Sequence, residues 1–333
     1  MKKALPKLLG ATLFGLAALA ANPAHASLTA FTSFTGHVGL STAGFGSTSQ
    51  SGTLTAHVPV GATVLAAYLY TSTFSFSGPP AMGGTLNGTA VSYTPLGVAA
   101  TCCRLEAGRA DVTSIVAGVI NGGPGGAYNF AVTENDSRQD GEALVVVYSL
   151  ASLAEGTVGI LDGNTAAAGD TTAINFSDPL NPADPGFFAE MRLGIGFSCC
   201  GQRSRVSVNG TLITENAGNN DDGVGPLSNG QLITVGDDND PFSPLLPVYT
   251  ADHERYNLVP YVHTGDTSIS VVTQNPSNDD NIFLAAFHVA GHAGFNEPPP
   301  PPTNTVPEPA TLLLFGTGLV GIYAAKRRRA AKA

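Results

Sequence analysis

The sequence contains one run of residues twice, and this duplication limits the possible folds more than any other feature. Residues 67–92 align without gaps with residues 189–214, at an offset of 122 positions. Each run ends in Asn-Gly-Thr, beginning at Asn87 and at Asn209, between stretches of alternating apolar residues. Asn-Gly favours a type I′ turn, in which both central residues have positive φ, and this turn joins two antiparallel strands. The two runs therefore predict the same β-hairpin in two homologous units.

Two further pairs of segments keep the same order along the chain. Residues 131–148 align with residues 271–288, and residues 108–116 align with residues 254–262. Within each unit, short apolar stretches alternate with turns of Gly, Pro, Asn and Asp, and a short helical turn is expected at residues 111–119. Gly and Pro are abundant, at 40 and 23 residues of 333, which excludes coiled coils and helical bundles.

The predicted fold class is all-β, with two tandem β-sandwich units of jelly-roll type. Targeting segments flank the two units at both ends of the chain. We predict a signal peptide at 1–26, a first unit at 27–165, a second unit at 166–295, a Pro-rich linker at 296–305, and a C-terminal sorting signal with a transmembrane helix at 306–333.

The first 26 residues have the three parts of a secretory signal peptide: a basic start, an apolar run and a small-x-small site that ends at Ala26. This pattern predicts export through the Sec translocon and cleavage by signal peptidase between Ala26 and Ser27. The apolar run, residues 8–21, is shorter than the roughly 20 residues that a membrane-spanning helix needs. A permanent N-terminal membrane anchor is the alternative.

The C-terminus carries a second targeting pattern. A proline run at 298–302 precedes a Val-Pro-Glu-Pro motif, and the apolar segment 310–325 follows it. Sixteen helical residues rise about 24 Å, against roughly 30 Å of hydrocarbon, so this helix would span a bilayer only marginally. The motif comprises Val306, Pro307, Glu308 and Pro309, and the basic stop-transfer residues are Lys326, Arg327, Arg328 and Arg329.

This order of motif, apolar span and basic tail resembles the PEP-CTERM sorting signal of Gram-negative bacteria. The resemblance covers the last 28 residues. It implies that an exosortase-type transpeptidase recognises the motif, cuts near it, and transfers or releases the body to the cell surface or the exopolysaccharide matrix. The inner-membrane anchor would then be transient. A permanent C-terminal anchor is the alternative.

The body also resembles a β-sandwich domain of unknown function that recurs in secreted and archaeal surface proteins. The resemblance lies in the first unit and implies no activity. The residues that carry it are Gly-Ala-Thr-Val-Leu-Ala-Ala-Tyr-Leu-Tyr at 61–70, and the segments 85–91, 108–116 and 141–149.

The charges of the body exclude two classes of partner. Between the signal peptide and the basic C-terminal tail the chain has seven arginines, no lysine and 25 acidic residues, which is a net charge of −18. Nucleic acids and anionic membranes both bind cationic surfaces. We therefore predict that neither of them is a partner of the body.

Four cysteines form two adjacent pairs, Cys102-Cys103 and Cys199-Cys200. An exported chain matures in an oxidising compartment, so disulfides are expected. The pairs occupy different positions in the two repeats, which favours bridges between the units. Vicinal disulfides within each pair and free thiols are the alternatives. The spacing lacks the Cys-x-x-Cys pattern of zinc sites.

Clusters of acidic residues could supply the oxygen ligands that calcium prefers. Their spacing does not match an EF-hand loop, and acidic turn residues without a metal are the alternative, so no cofactor is firmly assigned. The calcium candidates are Asp221, Asp222, Asp237, Asp238 and Asp240, with Asp162, Asp279 and Asp280 as outliers.

Two arginines stand at equivalent positions of the repeats, Arg109 and Arg255. We expect each to pair with a nearby acid, Glu106, Asp111 or Glu254, in a structural role. Tyr68 and Tyr70 share one face of a predicted strand, which is more typical of a core than of a sugar-binding platform.

The sequence lacks the motifs of common catalytic sites, such as Gly-x-Ser-x-Gly, His-Glu-x-x-His and the phosphate-binding loop, so we predict no enzyme. The predicted function is a structural or adhesive role at the cell surface or in the matrix, as in a biofilm. A glycan-binding or exopolysaccharide-binding protein is the alternative, although the chain has no Trp. A secreted hydrolase is the third possibility.

Overall fold

A computed structural model describes residues 27–46, 48–75, 82–99, 104–166, 168–196, 203–218 and 232–299. The described chain is all-β, as predicted, with one α-helix. The strands are β1 (Thr29–Gly36), β2 (Val38–Gly46), β3 (Ser51–Val58), β4 (Thr63–Thr73), β5 (Gly84–Leu86), β6 (Thr89–Val91), β7 (Thr94–Val98), β8 (Glu106–Asp111), β9 (Gly126–Glu134), β10 (Gln139–Ser149), β11 (Gly156–Asp162), β12 (Asp170–Phe176), β13 (Ala189–Gly196), β14 (Ser204–Val208), β15 (Thr211–Ala217), β16 (Thr234–Val235), β17 (Arg255–Asn257), β18 (Ser268–Gln274), β19 (Asn281–Ala290) and β20 (Ala293–Phe295).

The first unit pairs its strands in a nested order. β2 pairs with β10, β3 with β9, β4 with β8, and β5 with β6, all antiparallel. A ribbon of nested pairs that folds over on itself gives two facing sheets, which is the jelly-roll arrangement. We call them the first inner sheet, in the order β2-β10-β4-β8-β7, and the first outer sheet, in the order β3-β9-β5-β6.

The second unit repeats this nested order. β11 pairs with β19, β12 with β18, β13 with β17, and β14 with β15. The second inner sheet runs β1-β11-β19-β13-β16, with β17 also on β13, and the second outer sheet runs β15-β14-β18-β12-β20. By its pairing with β19, β11 is the first strand of this nested set, and β1, from the start of the described chain, is the edge strand of the same inner sheet.

Both Asn-Gly turns have the geometry that the sequence predicts. φ is +47° at Asn87 and +74° at Gly88, and +47° at Asn209 and +79° at Gly210. Each Asn side chain also accepts a hydrogen bond of 2.8 Å from a backbone N–H of a neighbouring strand, in β9 and in β18 respectively. The turn residues therefore close each hairpin and also attach it to its sheet.

The helix α1 (Thr113–Ile120) lies between β8 and β9, where the short helical turn was predicted. The second unit has a 3-10 helix, Val259–Tyr261, between β17 and β18. Within the described ranges, no helix is both long and apolar enough to cross a membrane. The predicted signal peptide and the predicted sorting helix lie outside those ranges.

The four sheets form four layers with three large apolar cores, and the described chain has one further small cluster, of Ala99 and Leu105. One core fills each jelly roll, and a third lies between the two inner sheets. β10 contributes to two cores, because Leu144 and Val146 face its own sandwich whereas Val145 and Val147 face the other inner sheet. This explains the unbroken apolar run at 144–148, since a strand buried on both faces needs no polar alternation. The third core also contains Val38, Leu40, Tyr70, Val158, Ile160, Phe283, Leu284 and Ala286.

We predict that Gly88→Ala destabilises the protein by about 1–2 kcal/mol, because an L-residue is disfavoured at positive φ. A Cβ on Gly88 would meet nothing within 4 Å, so only the backbone conformation is tested. Gly118→Ala is the matched control, since its Cβ would also stand in open space but within α1, where Ala is favoured over Gly by roughly 0.5–1 kcal/mol. Urea unfolding measures both. Equal effects of the two substitutions would contradict the assigned turn geometry.

Candidate functional site

Most residues of the targeting and disulfide predictions, and two of the calcium candidates, lie outside the described ranges, and those predictions stay predictions at the level of structure. Ser27 begins the described chain. The others are Ala26, Cys102, Cys103, Cys199, Cys200, Asp221, Asp222, Val306, Pro307, Glu308, Pro309, Lys326, Arg327, Arg328 and Arg329.

The two inner sheets face each other across the third core, and we call the interface between them the seam. The seam has two long sides, and polar contacts close one of them. Asp238, just after β16, forms an ion pair with Arg192 of β13 and accepts a hydrogen bond from the hydroxyl of Ser41 on β2. It also accepts from the backbone N–H of His57 at 3.2 Å. Arg192 donates to Thr42 Oγ1 at 2.8 Å. These contacts connect the two jelly rolls, and we call this edge the closed side of the seam.

The neighbouring calcium candidates are also held by protein donors. The backbone N–H of Asp237 donates to Asp240 Oδ2 at 2.7 Å, and that of Asn239 donates to Asp237 Oδ1 at 3.0 Å. Asp237 Oδ2 accepts a weaker bond of 3.4 Å from Gly44 on β2. In the part of the chain that the structure describes, no three His, Cys, Asp or Glu side chains are grouped as a metal site. Calcium binding stays a prediction.

Glu190 on β13 is the common ion-pair partner of the two arginines on the closed side. It pairs with Arg192 at 3.0 Å and with Arg255 at 3.2 Å, and His288 Nδ1 lies 3.9 Å away. Burial opposes ionisation, but the bond from His288 and the two guanidinium groups together lower the pKa of Glu190 to about 2. Glu190 is therefore ionised at any physiological pH.

The repeat-equivalent arginines are paired, but not with the acids that were predicted. Arg255 pairs with Glu190 and Arg109 with Asp162, so the predicted partners Glu106, Asp111 and Glu254 are wrong. The prediction used closeness in sequence, whereas β-sheet pairing brings together residues that are far apart along the chain. Arg255 and Arg109 each also stack on a phenylalanine ring, at 4.8 Å and 3.3 Å from the ring centroid.

The opposite side of the seam is open. Here β1 is the edge of the second inner sheet and β7 is the edge of the first, and a groove of about 620 Å³ lies between them. We call it the β1–β7 groove. Its lining residues are Ser27, Thr29, Ala30, Phe31, Thr94, Pro95, Leu96, Gly97, Val98, Arg109, Asp162, Gly163 and Asn164.

Each strand that borders the groove has a bulge. The pairing of β1 skips Phe31, and the pairing of β7 skips Leu96. A bulge bends the strand and re-aims the extra side chain, and bulges are common beside binding sites. Both extra side chains pack against the third core at the groove.

Arg109 and Asp162 form the polar floor of the β1–β7 groove. Arg109 donates through Nη1 to Asp162 Oδ2, and the Tyr70 hydroxyl donates to the same oxygen at 3.0 Å. Burial raises the pKa of Asp162, while the bonds from Arg109 and Tyr70 oppose that rise. The Phe31 ring lies over the guanidinium and meets Tyr68 edge-on, with centroids 5.1 Å apart.

The sequence did not identify this groove. Asp162 was an outlier among the calcium candidates, and Tyr70 was assigned to the core, where it is fully buried. The signal that was present is the scarcity of positive charge, since seven arginines serve the whole body. This scarcity draws attention to Arg109. Its partner could not be found from neighbouring residues, because Asp162 is 53 residues away.

A second group of buried acids lies inside the first jelly roll. Glu142 accepts a hydrogen bond of 2.6 Å from the Tyr93 hydroxyl and one of 3.2 Å from Gln139. Glu134 is 7% exposed, and neither of its carboxylate oxygens has a hydrogen-bond partner among the residues that the structure describes. Burial, together with the nearby charge of Asp140, raises the pKa of Glu134 to about 9. This carboxyl group is therefore protonated in the folded protein at neutral pH.

The residues next to the two cysteine pairs lie at the same end of the inner sheets. Glu106, shortly after the first pair, is the β-partner of Thr73. Gly196, shortly before the second pair, packs so closely on Ser72 that an added Cβ would lie 1.9 Å from its Oγ. Thr73 and Ser72 are adjacent in β4, so the chain segments that lead to the two pairs start close together.

Comparison with known families identifies a PEP-CTERM protein-sorting motif at residues 305–329. No curated protein and no solved structure matches the chain. The motif confirms the resemblance at the C-terminus, and it indicates an exported protein that exosortase sorts.

We predict that Glu134→Gln makes stability less dependent on pH. The folded-state pKa is about 9 and the ordinary value is 4.5, so the stability that this group contributes is complete below pH 4.5 and is lost as pH rises toward 9. Gln cannot ionise, and the variant should be more stable than the natural protein at pH 8. Urea unfolding at pH 5 and pH 8 measures this.

Glu215→Gln is the matched control, because Glu215 is half exposed and pairs with the exposed Arg205. Its effect should stay within about 0.5 kcal/mol at both pH values. A Glu134→Gln variant that is less stable than the natural protein at pH 8 would show that the carboxylate is paired in solution.

Proposed function

We propose that this protein is an exported structural or adhesive component of the cell surface or extracellular matrix, with no catalytic activity of its own. In this proposal Sec and signal peptidase deliver the chain, the C-terminal helix holds it briefly in the inner membrane, and the exosortase-type transpeptidase then cuts near Val306–Pro309. The sorting motif is the observation that supports export. The four-layer body supports the structural role.

The third core, which the two jelly rolls share, supports a load-bearing or scaffolding role because it joins them over a whole sheet face. Tandem domains on flexible linkers would move independently. Here Tyr70, Val145 and Phe283, from both units, are fully buried in one core. Force or attachment at one unit is therefore transmitted to the other.

The positions of the chain ends support membrane-proximal processing. Pro298, near the end of the described chain, and residues Ala30–Ser33 of β1 line one shallow pocket of about 240 Å³. Ser27 lies beside them at the β1–β7 groove. Six residues lie between Pro299 and Val306, and the seven steps along the chain reach at most about 25 Å. The enzyme that cuts at the motif must therefore work close to this face of the body.

Disulfides between the two units remain part of the proposal. The contact between Ser72 and Gly196 supports bridges that join Cys102 or Cys103 to Cys199 or Cys200. Such bridges would fasten the same end of the inner sheets that the third core already joins. They would suit a protein that works outside the cell.

Glycan binding is the second candidate function, and the β1–β7 groove favours it. Its volume of about 620 Å³ falls within the range of roughly 300–1,000 Å³ for small-molecule sites. Polar side chains line it at the boundary of the two jelly rolls. A hydrolase has less support, since no observation singles out a pair of catalytic groups.

The sorting proposal is tested by fractionating the native strain with and without its transpeptidase and measuring the intact mass of the protein. With the enzyme, we expect a chain that begins at Ser27, lacks Arg327–Arg329 and lies in the surface or extracellular fraction. Without it, the protein should keep Arg327–Arg329 and stay with the inner membrane.

Glu308→Ala should reproduce the result without the enzyme, whereas Thr303→Ala in the linker should leave processing unchanged. The proposal fails if the chain keeps Arg327–Arg329 in both strains. A deletion strain with normal biofilm and aggregation would remove the structural role but leave the sorting step intact.

A further inference from the structure

We propose that the β1–β7 groove binds a neutral saccharide through Arg109, Asp162 and Asn164. The inference rests on the second candidate function, glycan binding, and adds to it a site and a ligand class. It is independent of the sorting step, because it concerns the folded body alone.

Donors and acceptors stand side by side on the groove floor. Arg109 uses Nη1 for Asp162, and within the described part of the chain its Nε and Nη2 bind no carboxylate. Among the described residues, Asp162 accepts both of its side-chain bonds at Oδ2, which leaves Oδ1 for a ligand. Asn164 accepts from Asn281 through Oδ1, and its Nδ2 lies toward Gly97, another lining residue.

This arrangement suits hydroxyl groups. A hydroxyl both donates and accepts, so two neighbouring hydroxyls of a sugar ring can bridge a carboxylate oxygen and an adjacent N–H group. Bonds to charged partners are the stronger class of hydrogen bond. An apolar ligand would leave these polar groups without partners, at a cost in free energy.

The local charge favours a neutral ligand over an acidic one. Arg109 and Asp162 compensate each other within the groove. The chain between the signal peptide and the basic tail carries a net charge of −18. A uronate or phosphate group would find no uncompensated cation on the floor and would be repelled by the overall field.

Neither strand that borders the groove suits the addition of a peptide strand. Strand addition needs a regular row of free backbone N–H and C=O groups. β1 is interrupted by the bulge at Phe31, and β7 by the bulge at Leu96 and by Pro95, which has no N–H to donate. A saccharide binds to side chains and does not need a regular row of backbone groups.

The arginine on the floor is held in place before any ligand binds. The Phe31 ring covers its guanidinium at 3.3 Å, and Asp162 fixes Nη1. A side chain that is already ordered loses little entropy on binding. The Phe31 ring thus positions the Arg109 guanidinium. A site built in this way does not need a Trp on which a sugar ring stacks.

The second repeat provides an internal comparison. Arg255, the counterpart of Arg109, uses Nε and Nη2 for Glu190 and Nη1 for the backbone oxygens of Asp238 and Asp240. Its donors are thus engaged by the protein on the closed side of the seam. At this repeat position the protein engages all the donor nitrogens in one copy, whereas in the other copy, beside the groove, only Nη1 binds a carboxylate among the described residues.

The test is isothermal titration of the mature protein, purified from its native strain, with neutral trisaccharides (maltotriose, cellotriose, laminaritriose) and with the acidic trigalacturonate. We expect at least one neutral trisaccharide to bind, and to bind more tightly than trigalacturonate. Thr94→Trp, which fills the groove from an exposed position on β7, should weaken that binding at least tenfold.

Thr89→Trp is the matched control, since Thr89 is an exposed Thr on the edge strand β6 outside the groove, and binding should stay within twofold. Asn164→Asp removes the Nδ2 donor but keeps the oxygen that accepts from Asn281, and should also weaken binding. Thermal melts verify that each variant is folded.

The inference is overturned if none of the neutral trisaccharides binds, if trigalacturonate binds best, or if Thr94→Trp and Thr89→Trp have equal effects. Any of these results would leave the sorting proposal intact. Conversely, failed sorting with normal trisaccharide binding would overturn the sorting proposal alone.

Discussion

The apolar face between the two inner sheets is the interaction on which the rest of this structure depends. β10 and β19 each bury both faces, one against their own sandwich and one in the core shared with the other. Burial of apolar surface contributes roughly 25 cal/mol per Å², so a contact that extends over a whole sheet outweighs the polar contacts at its rim. The duplication therefore produced one body with four layers rather than two independent domains.

The two sides of the shared face differ in what covers them, and this difference gives the molecule its candidate site. On the closed side, Asp238 and Glu190 neutralise Arg192 and Arg255, and a turn after β16 lies on β2. On the open side, two bulged edge strands stand apart and Arg109 remains accessible between them. The same repeated arginine thus supports a structural contact in one half and lines a groove in the other.

Local signals predicted the parts of the fold that depend on neighbouring residues. The Asn-Gly turns, the helical turn before β9 and the all-β class follow from φ preferences and apolar periodicity, and the sorting motif is a linear pattern. The partners of Arg109 and Arg255 were mispredicted because they lie 53 and 65 residues away. The groove could not be predicted either, since it arises from the stacking of two sheets and from bulges that leave no clear sequence signature.

Native-state hydrogen exchange tests most directly whether the shared face makes the two jelly rolls one body. The slowest amides of β10 and of β19 should report the same free energy of opening, and both should change equally with denaturant, because neither unit can unfold without exposing the common core. Two distinct opening free energies, with one jelly roll exchanging through a separate global unfolding while the other stays protected, would contradict this account.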